Sequence, residues 1–229
     1  MSAPRMSVGV VGGHLLFSLL RETGHTVHWI ESPSQVAQFD LVVFDLPGSE
    51  LASAVEMYAP FARRGQIYLH TALEFGVQAL DPMETSGAIV VTAHQLTERM
   101  WVTSAADELG ETIVELLVGE MGGNALLIDD TQRAQIEAAM SYMNFANLMQ
   151  SDARLMLSDA IENPELIEDL IPAPKVQTHT PVEDLDRQYK AFDNPGRAQA
   201  FAAMVRRHAE ERHIQDAELW AIAHMNVKE

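Results

Sequence analysis

A glycine-rich turn near the start of the chain holds the residues with the clearest chemical potential. Residues 8–17 read V-G-V-V-G-G-H-L-L-F, a buried-strand pattern that runs directly into Gly12 and Gly13. At a turn from strand to helix, glycines let a phosphate approach the backbone N–H groups of the helix start. A dinucleotide fingerprint G-x-G-x-x-G that begins at Gly12 needs two further glycines, where this chain has His14 and Phe17. The turn therefore carries half of the fingerprint.

An acidic residue stands where such a fingerprint requires one. Glu31 follows Gly12 by about 20 residues and ends the second predicted strand. A carboxylate there would accept hydrogen bonds from the ribose hydroxyls of NAD and would repel the 2′-phosphate of NADP. Two interpretations stay open. In the first, Gly12, Gly13 and Glu31 bind a dinucleotide; in the second, the glycines only form a tight turn and Glu31 is a surface carboxylate.

The elements that must position these residues are short apolar strands separated by helices. Five strands are predicted: Ser7–Val11, Thr26–Ile30, Asp40–Leu46, Gln66–His70 and Ala88–Ala93, with Met100–Thr103 as a candidate sixth. Mostly non-alternating runs of this length indicate a parallel sheet that is covered on both faces. The right-handed crossover rule then predicts an α/β fold with a doubly wound, mostly parallel Rossmann-type sheet.

Polar side chains follow several of these strands at their carboxyl ends, where ligands bind in doubly wound sheets. We predict that Asp45 and Pro47 contact a cofactor and that Thr71 and His94 contact a substrate. His70 is our first candidate for a catalytic proton carrier, because the pKa of an imidazole lies near working pH. The alternative for a histidine at a strand end is a packing or capping role.

The second half of the chain is predicted to be helical. A helix is expected from Ser104 to about Met121, and a long helix from Asp129 to about Glu162. On the long helix, Asn144 and Asn147 share one face at i and i+3, so we predict a catalytic role for Asn144 and substrate contact for Asn147. We expect a Rossmann-like dinucleotide-binding domain at 1–128 and a helical substrate and dimerisation domain at 129–229.

The same helix carries several methionines, which fill a core or a subunit interface more often than they mark a cofactor site. They are Met140, Met143, Met149 and Met156. Because the apolar positions of the helix are spread wide enough to bury two faces, a homodimer is expected.

Composition excludes several classes of function. The 229 residues include 15 Lys and Arg against 33 Asp and Glu, a formal net charge of −18, which excludes an ordinary nucleic-acid binder. The absence of cysteine excludes disulfides and thiolate catalysis, and with no H-E-x-x-H spacing we predict no metal site. The apolar runs are too short to span a bilayer, and no apolar stretch follows the N-terminus as in a secretory signal. We therefore expect a cytoplasmic protein without a membrane partner.

The order of the segments resembles the 6-phosphogluconate-dehydrogenase-like superfamily, and more closely its Rossmann-like dehydrogenase branch with a helical C-terminal domain of unknown function. The resemblance covers about residues 8–160, and its specificity lies in the order of short strings. These strings are 8–12, G-H-T-V at 24–27, D-L-V-V-F-D-L-P at 40–47, L-H-T-A-L at 69–73, A-H at 93–94, 122–128 and E-A-A-M-S-Y-M-N at 137–144.

This resemblance implies an NAD(P)-dependent oxidoreductase whose helical half lines the substrate cleft. Because Glu31 favours NAD, we expect an NAD-dependent enzyme that acts on a small polar metabolite in this interdomain cleft. The chain also departs from the family. Residues 70–73 read H-T-A-L where the family tends to have H-T-S-G, and the first lysine is Lys175, so the lysine acid/base of hydroxyacid-dehydrogenase relatives has no counterpart before it. The alternative is a degenerate Rossmann protein without dinucleotide turnover, serving as a ligand-binding or dimeric interaction protein.

Overall fold

The computed structural model of the chain describes residues 5–174 and 182–225. Two compact units divide the chain, one at Met1–Arg133 and the other at Ala134–Glu229. The first unit holds a sheet flanked by helices, and the second is helical.

A seven-stranded sheet in the order β2-β1-β3-β4-β5-β6-β7 forms the centre of the first unit. Its strands are β1 Ser7–Gly12, β2 Thr26–Trp29, β3 Leu41–Asp45, β4 Ile67–His70, β5 Ile89–Gln95, β6 Met100–Ala105 and β7 Asn124–Leu127. The first five strands pair in parallel. Strand β1 lies between β2 and β3, so the chain winds outward from β1 in both directions and the sheet has a topological switch point there.

Helices cover both faces of this sheet. They are α1 Leu15–Glu22, α2 Gly48–Tyr58, α3 Asp81–Glu84 and α4 Glu108–Glu120. Because side chains alternate along a strand, Val42 and Phe44 of β3 pack in the core that contains Leu51 of α2, whereas Leu41 and Val43 pack in the opposite core. The opposite core contains buried residues of α1 and α4. The predicted α/β class with a doubly wound, mostly parallel sheet is confirmed.

Strand β6 runs antiparallel to β5, because the turn at residues 96–99 is too short for the crossover that a parallel strand needs. This hairpin corrects one sequence-based prediction. Ser104 does not start a helix; it lies in β6, with its hydroxyl 3.0 Å from that of Thr92 in β5. Helix α4 begins later, at Glu108, and the carboxylate of Asp107 caps it by accepting the N–H of Gly110 at 2.8 Å.

The second unit is built on the long helix α5, Asp130–Ala160, whose first residues belong to the first unit. The other helices are α6 Pro164–Leu170, α7 Val182–Lys190, α8 Pro195–Arg212 and α9 Gln215–Met225. Its core includes Phe145 of α5 and Phe201 of α8, whose rings meet edge to face at 5.5 Å. Within residues 5–174 and 182–225, no helix is both long and apolar enough to cross a membrane.

A partly buried ion pair joins α5 and α7 in this unit. Arg187 donates two hydrogen bonds of 3.0 Å to the two carboxylate oxygens of Glu137, and Gln188 donates a third of 2.8 Å. Two parallel bonds between a guanidinium and a carboxylate are strong and directional, so this pair fixes the two helices against each other.

Candidate functional site

A cavity of about 370 Å³ lies at the carboxyl ends of β3, β4 and β5 in the first unit. Its volume falls within the range of small-molecule sites. The lining residues are Leu15, Asp45, Leu46, Pro47, Gly48, Thr71, Ala72, Leu73, Glu74, His94, Gln95 and Trp101. Parallel strands that end at one edge bring these side chains together, and Leu15 adds the start of α1 to the wall.

Four of the predicted site residues line this cavity: Asp45, Pro47, Thr71 and His94. Three of them form a hydrogen-bonded chain. The hydroxyl of Thr71 donates to Oδ1 of Asp45 at 3.0 Å, and Nδ1 of His94 donates to the carbonyl oxygen of Thr71 at 2.7 Å. A carbonyl can only accept, so the proton of a neutral His94 ring lies on Nδ1.

The glycine turn packs directly against the end of β3. Gly12 has a φ of +100°, and the N–H of Gly13 donates to the carbonyl oxygen of Asp45 at 2.6 Å. A Cβ on Gly13 would lie 2.5 Å from Oδ2 of Asp45. The close approach of Asp45 therefore explains both glycines by itself, and it places a carboxylate beside the turn.

Aromatic side chains occupy the positions where the fingerprint has glycine. His14 is the N-cap residue of α1 without a side-chain capping bond, and its ring meets Trp29 of β2 edge-on at 4.9 Å. Phe17 of α1 stacks on the same indole at 4.1 Å. These contacts fill the space that glycines would leave between helix and strand.

Glu31 lies two residues beyond the end of β2, and its side chain is exposed. Its backbone N–H donates to the side-chain oxygen of Gln35 at 2.8 Å, which fixes the backbone of this turn. The carboxylate is thus open to solvent at the carboxyl edge of the sheet, where a ribose-binding group would have to stand.

His70 is the predicted site residue whose surroundings disagree most with its assigned role. Its side chain is 0% exposed and does not line the cavity. Nε2 donates to the carbonyl oxygen of Gly76 at 3.0 Å, and Nδ1 has no hydrogen-bond partner among the described residues. Burial lowers the pKa of His70 to about 4. A proton carrier must reach its substrate, so we correct the catalytic prediction in favour of the packing role.

The buried His70 predicts a pH dependence of stability. The pKa of His70 falls from 6.5 to about 4 on folding, so the unfolded chain binds more protons in this window and stability falls as pH decreases through it. Replacing His70 by glutamine keeps an N–H donor but removes the titration. We measure the free energy of unfolding with urea at pH 6.5 and at pH 4. Between these two values, we expect this free energy to fall by about 3 kcal/mol less in His70→Gln than in the parent.

The matched control is His28→Gln, at an exposed histidine of β2, which should follow the pH profile of the parent. A His70→Gln profile parallel to that of the parent would show that His70 is not the group responsible.

Asn144 and Asn147 lie on α5 in the second unit and are both half-buried. Both have interaction partners within the structure. The cavity belongs entirely to the first unit, so these asparagines are not among its lining residues. Their catalytic and substrate-binding roles remain predictions.

Among the lining residues that had not been predicted as site residues, Glu74 and Trp101 add a carboxylate and an indole ring to the wall. The carboxylate of Glu74 packs against Gly48 at the start of α2, where the helix dipole favours negative charge. Its signal in the sequence is its place shortly after the end of β4. Trp101 reaches the cavity because it pairs with Gln95 across the β5–β6 hairpin, an antiparallel register that the sequence pattern did not reveal.

Arg133, also unpredicted, is a buried cation in the first unit with a side-chain exposure of 3%. It donates to Asp130 at 2.7 Å, to the carbonyl oxygen of Leu73 at 3.2 Å and to the hydroxyls of Thr92 and Ser104. Since Leu73 belongs to the cavity wall, Arg133 supports that wall from behind.

Three features of the first unit favour the binding of a dinucleotide, and one opposes it. The backbone N–H groups at the start of α1 carry no side-chain cap, Glu31 is exposed, and the cavity can admit a ring of nicotinamide size. The departure is Asp45, whose carboxylate borders Gly13 and would repel a pyrophosphate at this turn. Backbone N–H groups and Glu31 would therefore hold a dinucleotide here, and the charge of Asp45 would lower its binding affinity.

Comparisons with protein families match both parts of the chain. Residues 25–95 match the Rossmann-like domain, and residues 129–224 match the family described as 6-phosphogluconate dehydrogenase C-terminal domain-like. A sequence comparison with curated proteins finds no match.

Solved structures share the fold over nearly the whole chain. Prephenate dehydrogenase from A. aeolicus, solved with hydroxyphenyl propionate and NAD+, has a TM-score of 0.60 at 13% identity and covers 100% of both chains. Pyrroline carboxylate reductase from Plasmodium falciparum, solved with NADP, has a TM-score of 0.57 at 11% identity, over 96% of this chain and 97% of that chain. For 3-hydroxyisobutyrate dehydrogenase from Mycobacterium tuberculosis the TM-score is 0.56 at 12% identity, over 97% of this chain and 95% of that chain.

At such low identity these structures establish the fold alone. Together with the two family matches, they confirm the resemblance found in the sequence. The chain therefore matches the model of a Rossmann-like domain and, after it, the model of a 6-phosphogluconate dehydrogenase C-terminal domain-like domain.

Proposed function

We propose that the protein is an NAD(H)-dependent oxidoreductase that acts on a small polar metabolite bound in the cavity of the first unit. The observation that carries this proposal is the cavity itself, at the carboxyl ends of the parallel strands and beside the glycine turn. Its polar chain of Asp45, Thr71 and His94 offers the groups that a proton-coupled hydride transfer requires.

In this proposal a bound nicotinamide would accept a hydride from the substrate, and the residues of the chain would take up the released proton and position the substrate. A neutral His94 would take up the proton that the reacting group releases, and Asp45 holds Thr71 and thereby the hydrogen-bonded chain in place. Leu46, Leu73 and Trp101 form an apolar wall that limits access of water.

A second candidate function is that of a relative that binds a small ligand without dinucleotide turnover. The observation in its favour is that side chains of this chain fill the space that glycines leave open in a dinucleotide fingerprint. The Asp45 carboxylate borders Gly13, and His14 and Phe17 pack on Trp29.

Titration calorimetry with NADH and NADPH tests the proposal. We expect NADH to bind at micromolar strength and NADPH not to bind, because Glu31 repels a 2′-phosphate. Glu31→Ala should lower the affinity for NADH about tenfold. Asp45→Asn should raise this affinity about tenfold, because it removes the charge beside the pyrophosphate. Glu56→Ala, at an exposed position of α2 outside the cavity, is the control and should bind NADH like the parent.

The decisive negative result is an absence of NADH binding at millimolar concentration in both the parent and Asp45→Asn. That result would refute the dehydrogenase and favour the ligand-binding relative, because removal of the repelling charge would then have uncovered no nucleotide site.

We also propose that the protein forms a homodimer through α5. Met143, Met149 and Met156 are all exposed on this helix, so they do not fill the core of their own unit. Exposed methionines on one long helix are suited to a contact between subunits. Sedimentation equilibrium would measure the state of association directly.

A further inference from the structure

The cavity of the first unit has an unusual charge for a site at this edge of a sheet. Asp45 and Glu74 both line it, and its lining contains no lysine or arginine. Within residues 5–174 and 182–225, neither of these carboxylates forms an ion pair. Each is half-buried, so water screens its charge only in part.

The partners that these carboxylates do have leave most of their charge in place. Asp45 accepts one hydrogen bond, from the neutral hydroxyl of Thr71. Glu74 lies against Gly48 at the start of α2, where a helix contributes only a partial positive charge. The wall of the cavity is therefore negative, and it disfavours a ligand whose recognised group is a phosphate or a carboxylate.

Several side-chain hydrogen-bond donors of the lining are directed into the fold. Thr71 donates its hydroxyl to Asp45, and a neutral His94 donates its ring N–H to the carbonyl oxygen of Thr71. Gln95 donates to the carbonyl oxygen of Glu98 at 3.3 Å. These contacts use the donors of Thr71 and His94 and one amide N–H of Gln95, whereas Asp45 and Glu74 present carboxylate oxygens to a ligand. The complementary group is a cation with several N–H donors and no acceptor, which describes an alkylammonium.

The remaining wall suits the carbon part of such a molecule. Leu46, Leu73 and Trp101 present apolar surface within the same cavity, whose volume of about 370 Å³ admits a small metabolite. We propose that this cavity binds an amine-bearing metabolite in its ammonium form, with the nitrogen between Asp45 and Glu74. The identification of this amine as the substrate of an oxidoreductase rests on the proposed function, whereas the binding step does not.

Four probes of similar small size separate the alternatives. They are 1-butylammonium, butyrate, 1-butanol and 1-methylnicotinamide, added to the full-length protein and followed by chemical shifts in NMR spectra. We expect 1-butylammonium to bind at least about tenfold more tightly than butyrate or 1-butanol. Asp45→Asn and Glu74→Gln should each reduce this preference, and the double variant should abolish it. Glu56→Gln, outside the cavity, is the matched control and should keep it.

Four results would overturn the inference. One is butyrate or 1-butanol binding as tightly as 1-butylammonium. A second is no saturable binding of any probe. A third is a preference that survives the double variant. The fourth is binding of 1-methylnicotinamide alone, which would assign the negative wall to a pyridinium ring. Loss of NADH binding with retained ammonium preference would refute the dehydrogenase and leave the amine site standing, so the two failures are distinguishable.

Discussion

Replacing Gly12 by alanine is expected to lower the free energy of unfolding by about 3 kcal/mol or more. Gly12 has a φ of +100°, a conformation that strains any residue with a Cβ. A Cβ there would also lie inside the van der Waals distance of the Asp45 carbonyl oxygen, a backbone atom held in the sheet. Urea unfolding followed by circular dichroism measures the effect.

Gly65 provides the matched control for this substitution. Its φ is +77°, but a Cβ would meet nothing within 4 Å. Gly65→Ala therefore carries the backbone strain without the collision and should cost about 1 kcal/mol. If the two alanine variants were equally stable, the contact of the turn with Asp45 would have no energetic weight and our explanation of Gly12 would be wrong.

Replacing Arg133 by methionine is the second prediction with a large effect, a loss of about 3 kcal/mol. Methionine fills a similar volume but cannot donate the hydrogen bonds that Asp130, Thr92 and the carbonyl oxygen of Leu73 accept from Arg133. Buried acceptors that lose their partners keep their desolvation penalty. Thermal and urea unfolding of the purified variant would measure the loss.

Two further variants isolate the cause. Arg99→Met, at an exposed arginine of the β5–β6 turn, should leave the unfolding free energy unchanged. Arg133→Lys should recover only part of the lost stability, because an ammonium cannot reproduce the planar fork of a guanidinium. Full recovery by lysine would mean that charge, and not the geometry of the hydrogen bonds, is what the site requires.

The contacts of Asp45 link the glycine turn to the cavity. Its carbonyl oxygen accepts from Gly13 and its carboxylate from Thr71, whose own carbonyl accepts from His94. One residue thus holds the turn, supplies negative charge to the cavity and orients the chain of hydrogen bonds. This is why the same substitution, Asp45→Asn, has opposite expected effects on NADH and on an ammonium ligand.

Much of the first unit was predictable from short-range pattern. Runs such as L-V-V-F at 41–44 are apolar at every position, which is what burial on both faces of a parallel sheet requires, and all four side chains are fully buried. Such features depend on neighbours in the chain, so the sequence alone could specify them.

Residues after the strands were predicted less evenly. Thr71 and His94 reach the cavity as expected, but His70 does not. His70 still pairs with Thr92 inside the sheet, and side chains alternate, so it points to the same covered face as Tyr68. The neighbouring strand β5 determines where the pairing of β4 ends. The residues around His70 in the sequence carry no information about that strand.

The sequence by itself determined the fold class, the glycine turn, the exposed acidic residue after β2 and the set of polar strand ends from which a site could be built. Only the tertiary structure decided which of these meet. It placed Asp45 against Gly13, and it brought Glu74 and Trp101 into the wall, because backbone approach and antiparallel register join residues that are distant in the chain. The charge of the cavity follows from that meeting of distant residues, since no single segment contains both carboxylates and the apolar wall.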